Sequence, residues 1–257
     1  MPTDANGGVT SAVQENGVKH GITTPPPAPL LKAILFDLDG TICHTDHVHF
    51  KAFQIMLKEE GLGDIDMDFF NKNISGRHNP LIMKDLLPHL TEEQGREWST
   101  RKEELFRRLS NNLLKETPGL SALLDWMDQQ AVPLKRAVVT NAPKLNVEYM
   151  LDVLKVRHRF PLVVLGEECL RAKPDPCPYQ TAMELLGVKP HETIAFEDSG
   201  AGIKSALGAG ITTVGITSSF SDEFLNKLGV VFAVPDFGDK RLLSAIQRWT
   251  NVGLAPL

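Results

Sequence analysis

Cysteine is scarce in this chain: Cys43, Cys169 and Cys177 are the only three in 257 residues. An odd, unpatterned trio builds neither a disulfide framework nor a zinc ligand set. It fits a reducing compartment in which the thiols act as small buried hydrophobes. Long apolar runs are missing too, since no stretch approaches the roughly 20 residues that span a bilayer. Nor is positive charge in excess: 27 Lys and Arg stand against 32 Asp and Glu, a net charge of −5 with both signs mixed along the sequence. That leaves no basic stripe for nucleic acid and no polybasic patch for a membrane surface. Residues 1–30 contain almost no large apolar residue and end in Pro25-Pro26-Pro27-Ala28-Pro29. They predict a disordered tail that matches neither a secretory signal nor an Arg-rich transit peptide. The expected protein is a cytoplasmic monomer.

What is present is a core. A hydrophobic content of 42% over this length suits one α/β domain with an insertion, or two compact units. Short apolar runs at Ala33–Asp37, Arg136–Thr140, Leu162–Leu165, Thr193–Phe196, Thr213–Ile216 and Val230–Val234 predict buried strands. Helical patterns fall at Leu120–Gln129, Lys144–Leu154, Tyr179–Leu186, Ala201–Leu207 and Lys240–Trp249. This alternation predicts an α/β fold with a doubly wound parallel sheet, whose ligands sit beyond the carboxyl ends of the strands. One interruption breaks it. From about His47 to Asn112 the pattern is helical, with Phe50, Phe53 and Leu57 on one face and a charged helix over Glu92–Leu109. The expected division is a helical cap at 47–113 inserted into a catalytic core formed by 31–46 and 114–257, with Thr117-Pro118-Gly119 marking the return.

Four polar segments lie at the predicted strand ends. Asp37-Leu38-Asp39-Gly40 places two carboxylates one residue apart after a buried strand, where like charges repel unless a divalent cation relieves them; the glycine lets the backbone turn away. Val139-Thr140-Asn141-Ala142 offers a hydroxyl and successive N–H groups as a phosphate cradle. In Ala172-Lys173-Pro174-Asp175-Pro176 the prolines are expected to hold a single ammonium in an extended, rigid segment. Phe196-Glu197-Asp198-Ser199-Gly200 ends another strand in two acids, able to place one carboxylate on a metal and the other on a metal-bound water. Taken singly, each also reads as ordinary turn, cap or surface chemistry.

In this order and spacing the four segments resemble the haloacid dehalogenase (HAD) superfamily of aspartyl-phosphate hydrolases, from about Ala33 to Val234. Within it the chain looks like the group with a small helical cap after the first motif, which includes β-phosphoglucomutase, phosphoglycolate phosphatase and plant sugar-phosphate phosphatases. The runs Gly76-Arg77-His78-Asn79 and Val139–Lys144 resemble the last most.

The resemblance implies a Rossmann-like core and a Mg²⁺-dependent phosphatase acting on small sugar or polyol phosphates. Asp37 would be the nucleophile and Asp39 the general acid and base. Mg²⁺ would be held by Asp37, the Asp39 carbonyl and Asp198, with Glu197 on a bound water. Lys173, Thr140 and Asn141 would meet the phosphoryl oxygens. His49 is similar to a mutase position that contacts substrate and aligns the acid; Arg77, His78 and Lys102 are cap candidates for the substrate's polar groups. Asn79 falls where the phosphomutase has an arginine for a second phosphate, which favours hydrolysis over a β-phosphoglucomutase-type transfer unless Arg77 replaces that cation. A non-catalytic sugar-phosphate sensor is the reading from another class.

Overall fold

In the computed structural model, which describes residues 30–254, β1 (Ala33–Phe36) has no exposed residue. A strand dry on both faces needs neighbours on both edges and cover above and below. The edges are supplied by β2 (Lys135–Thr140) and β4 (Thr193–Glu197). Beyond them lie β3 (Leu162–Leu165), β5 (Thr212–Ile216) and β6 (Ala233–Val234), in the order β3-β2-β1-β4-β5-β6, every pairing parallel. The predicted fold class therefore holds.

The intervening helices are α1 (Asp46–Glu59), α2 (Met67–Asn73), α3 (Asn79–Leu86), α4 (Glu92–Leu109), α5 (Leu120–Asp128), α6 (Lys144–Val153), α7 (Cys177–Leu186), α8 (Gly200–Gly208), α9 (Asp222–Lys227) and α10 (Lys240–Asn251). Alternation along each strand sorts the cover. Ile34, Phe36, Val138, Ile194 and Phe196 pack among large residues of α5, α6 and α10. On that face the Phe36 ring lies 5.5 Å from Phe160, 5.4 Å from Phe196 and 5.8 Å from Phe237. Opposite, the small side chains Ala33, Ala137 and Ala195 let Tyr179 and Met183 of α7 approach the sheet.

Helices α1–α4 occupy the predicted helical interruption, and α4 has the bounds expected of it. Phe53 packs on Phe70 and Trp98, and α4 opens with a capping box between Thr91 and Gln94. Their buried residues run into the core beneath the sheet without a break.

Two expectations fail. The last strand is regular only at Ala233–Val234, because Pro235, lacking an N–H, ends it and the Gly229 turn (φ +101°) crowds its start. Helix α9, with Ser221 as its cap, is not expected from the sequence; its six residues are too few for a helical period to register. The tail predicted over residues 1–30 lies, apart from Leu30, outside the described residues.

Candidate active site

The chain leaves β1 for β2 on one side and later returns as β4 on the other, so the crevice at the carboxyl ends of β1 and β4 is a topological switch point. The parallel register pairs Phe36 with Phe196, and the Asp37 N–H donates to the Phe196 carbonyl at 3.0 Å. Asp37 thus arrives beside Glu197 and Asp198, 160 residues downstream. One carboxylate oxygen from each of the three lies within 4.8 Å of the others, and all three residues are buried.

Lys173 enters this cluster fully buried. Its Nζ donates to Asp37 Oδ1, Glu197 Oε1 and the Val139 carbonyl, each at 2.6 Å, so its three protons are all used. The ammonium lies 5.0 Å from the centre of the Tyr179 ring, whose hydroxyl donates to Glu197 Oε1 at 2.7 Å. Burial works against the Lys173 charge, but Asp37 and Glu197 outweigh it and raise the ammonium above its ordinary range. Burial pushes the Asp37 carboxyl well up; Lys173 opposes this, while Glu197 and Asp39 add to it. Asp198 is likewise raised, by burial first and then by Asp37, Asp46 and Glu197.

The segment carrying Lys173 is not extended as predicted. It turns, with the Asp175 N–H donating to the Ala172 carbonyl at 3.0 Å. The turn is tied down by Asn141, whose Nδ2 donates to the Lys173 carbonyl and whose Oδ1 accepts the Lys173 N–H, both at 3.1 Å. The Asn141 side chain therefore grips the lysine's backbone instead of standing free as a phosphate donor. Thr140 is buried, and its Oγ1 accepts the Ala142 N–H at 2.9 Å.

Asp39 stands at the rim. Its Oδ1 accepts from Thr45 Oγ1 at 2.7 Å and pairs with His49 Nε2 at 3.1 Å; its Oδ2 takes no hydrogen bond among the described residues. The His49 ring is stacked on Phe106, 4.0 Å between centres and 9° between planes, which fixes its direction.

A cavity of about 80 Å³ joins these groups. Asp37, Asp39, Thr140, Asn141, Lys173 and Asp198 form its sheet side; His49 of α1, Lys102 of α4 and Arg77 of the loop between α2 and α3 line the other. Glu197 is sealed behind, with Ser199 Oγ donating to its Oε2 at 3.3 Å. His78 is not part of this cavity: it stands in extended backbone at the start of α3 and lines a neighbouring groove of about 1040 Å³.

Arg77 is engaged elsewhere as well, Nη1 donating to the Asn73 carbonyl at 2.7 Å and Nη2 to Asp85 at 2.5 Å. Lys102 is buried, paired with Glu103 at 2.5 Å and 4.6 Å from the centre of the Phe53 ring. Glu103 also accepts from Asn79 at 2.7 Å and from Asn146 at 2.6 Å. Burial would raise the Glu103 carboxyl, but Lys102, His49 and the Asn79 hydrogen bond together bring it down to about 2.

Sequence reasoning missed the hydroxyls that hold Asp198. Thr41 donates to its Oδ1 at 3.3 Å, and Ser218 and Ser219 to its Oδ2 at 3.3 and 2.5 Å. Ser218-Ser219 follows the end of β5, so a strand-end signal was there to be read. Glu103 and Tyr179 carried no such signal.

Three buried carboxylates that compete for protons, two of which, Asp37 and Asp198, line the cavity, fit a hard divalent cation with oxygen ligands. Among the described residues no helix is long and apolar enough to cross a membrane.

Comparison with known proteins agrees. The family pattern described as haloacid dehalogenase-like hydrolase matches residues 34–216. A phosphorylated carbohydrates phosphatase of Thermotoga maritima is 27% identical over 198 residues, covering 75% of this chain and 88% of that protein. A validoxylamine A 7'-phosphate phosphatase of Streptomyces hygroscopicus subsp. limoneus is 30% identical over 230 residues, covering 87% and 99%. The crystal structure of a β-phosphoglucomutase from Clostridium difficile superposes with a TM-score of 0.74 at 22% identity, covering 86% of this chain and 97% of that one, a likeness of fold.

Proposed function

This chain belongs to the haloacid dehalogenase-like hydrolase family and is a phosphoric monoester hydrolase; from there we propose that it is a Mg²⁺-dependent phosphatase of small sugar or polyol phosphates that works through an aspartyl-phosphate. The observation that carries this reading is the buried Lys173 ammonium bonded at once to Asp37 and Glu197 beside Asp198.

Asp37, Asp198 and the Asp39 carbonyl are the groups that would hold Mg²⁺, which when bound offsets the carboxylate charge and draws electron density from a phosphate oxygen. Lys173 favours the ionised form of Asp37 against the burial that raises its carboxyl, and fixes it by its Oδ1. Asp37 attacks phosphorus, its new P–O bond forming as the ester P–O bond breaks. The departing alkoxide takes a proton from Asp39, for which Oδ2 is the open atom, since Thr45 and His49 both occupy Oδ1. Asp39 then removes a proton from water. The resulting hydroxide displaces Asp37 and inorganic phosphate leaves. Thr140 and backbone N–H groups after β2 meet the phosphoryl oxygens. The helices of 47–113 act as the cap, with 31–46 and 114–257 as the core; the cap walls off solvent while the ester is bound.

Hydrolysis is favoured over a mutase reaction by the state of the cap's cations. A mutase must hold a second phosphate, yet Asn79 carries no charge, Arg77 is matched by Asp85 and Lys102 by Glu103. The test is phosphate release from a panel of sugar, polyol and glycolate phosphates, with Mg²⁺ and with chelator, alongside Asp37→Asn. Release that needs Mg²⁺ and falls by orders of magnitude in Asp37→Asn, with the fold intact, is expected. No release from any ester refutes the reading.

A further inference from the structure

Five carboxylates line the catalytic cavity, those of Asp37, Asp39, Asp46, Glu103 and Asp198, against the cations Arg77, Lys102 and Lys173. Each cation already has a counter-charge within 2.6 Å. The partners of Lys102 and Lys173 are buried with them. Arg77 differs: it lines the cavity, while its partner Asp85, on α3, is not among the lining residues and is half exposed. The carbonyls of Asn73 and Leu81 hold that guanidinium in place at 2.7 and 3.5 Å. A planar guanidinium at a cavity wall is the side chain best shaped to take a carboxylate or a second phosphate in bidentate fashion. Here Asp85 takes that role from within the chain. The neighbouring wall is polar without spare positive charge: Ser75, and Asn79, whose Nδ2 is committed to Glu103 and whose Oδ1 stays available to a hydroxyl.

We propose that Asp85 is a specificity-determining residue, which by cancelling the Arg77 charge restricts the site to phosphate esters whose leaving group is an uncharged polyol. Esters carrying a carboxylate or a second phosphate are disfavoured, because no cation is left to meet them and Glu103 and Asp39 repel them. The proposal deepens the phosphatase reading and rests on it for where the phosphate sits.

Binding tests it without turnover. Full-length Asp37→Asn protein in Mg²⁺ is titrated by calorimetry with two matched pairs: glycerol 1-phosphate against 2-phosphoglycolate, and glucose 6-phosphate against glucose 1,6-bisphosphate. Every one of these esters has an anionic phosphate; the member of each pair whose leaving group is uncharged is expected to bind about tenfold or more tightly, and adding Asp85→Asn, which keeps a hydrogen-bond acceptor for Arg77, should shrink that preference by about tenfold. The gain should fall on the esters with an anionic leaving group, those with an uncharged one staying within about twofold. Equal or tighter binding of the member with the anionic leaving group, a preference untouched by Asp85→Asn, or no binding of any ester overturns the proposal. Wild-type release from p-nitrophenyl phosphate reports separately on hydrolysis: a chain that binds with the stated preference but releases nothing would overturn the phosphatase reading alone.

Discussion

Gly40 lies directly against Asp198: a Cβ built on the glycine falls 2.0 Å from Asp198 Oδ2 and 2.6 Å from its Cγ. The two residues are 158 positions apart, yet the turn out of β1 has the room it needs only because position 40 has no side chain. Its φ of +78° asks for glycine independently.

Gly40→Ala is therefore expected to act twice. Backbone strain should cost about 1–3 kcal/mol, and Asp198, pinned by Thr41, Ser218 and Ser219, has nowhere to retreat. Calorimetric titration with Mg²⁺ should show affinity reduced by about tenfold or more, with phosphate release falling alongside. Unchanged Mg²⁺ affinity would mean that Asp198 does not hold the cation.

Lys173→Met leaves the Glu197 carboxylate, which has no exposed surface, without its cation. Breaking a buried pair from one side costs about 3–5 kcal/mol, to be read from the urea midpoint. Adding Glu197→Gln should restore part of that loss by removing the stranded charge, while turnover stays abolished. A single variant as stable as the wild type would contradict the pairing.

Glu103 sets an acid limit. Its carboxyl is held down to about 2, whereas an unfolded chain titrates it near 4.3. The folded state therefore binds the proton less readily, so this contribution is complete above the unfolded value and disappears as pH falls from about 4.5 toward 2. It amounts to about 3 kcal/mol at most. Unfolding by urea across that window should show a steeper loss for wild type than for Glu103→Gln, which is less stable at neutral pH and flatter in acid. Parallel curves would remove Glu103 from the account.

Asn141→Ala removes both hydrogen bonds to the Lys173 backbone. Stability should fall by about 1–3 kcal/mol. Steady-state kinetics should show kcat falling while KM moves little, because the lysine is loosened and the cavity wall remains. A rise in KM at constant kcat would instead make Asn141 a direct ligand of the ester.

The sequence by itself determined the sheet and what stands at its tips. Strands buried on both faces must be near-continuous apolar runs, so β1, β2, β4 and β5 were visible, as was the edge strand β3 at Leu162–Leu165, and polar residues at or after the strand ends stood out as Asp37, Asp39, Thr140, Lys173, Glu197 and Asp198. Tertiary structure decided which charges are spent on one another. That Asn141 grips Lys173, that Arg77 is cancelled by Asp85 and Lys102 by Glu103, and that His78 opens onto the adjoining groove all depend on side-chain direction and neighbouring packing. Hydrophobic periodicity records which face of an element is buried. It carries no information on which of several nearby partners a long polar side chain will reach.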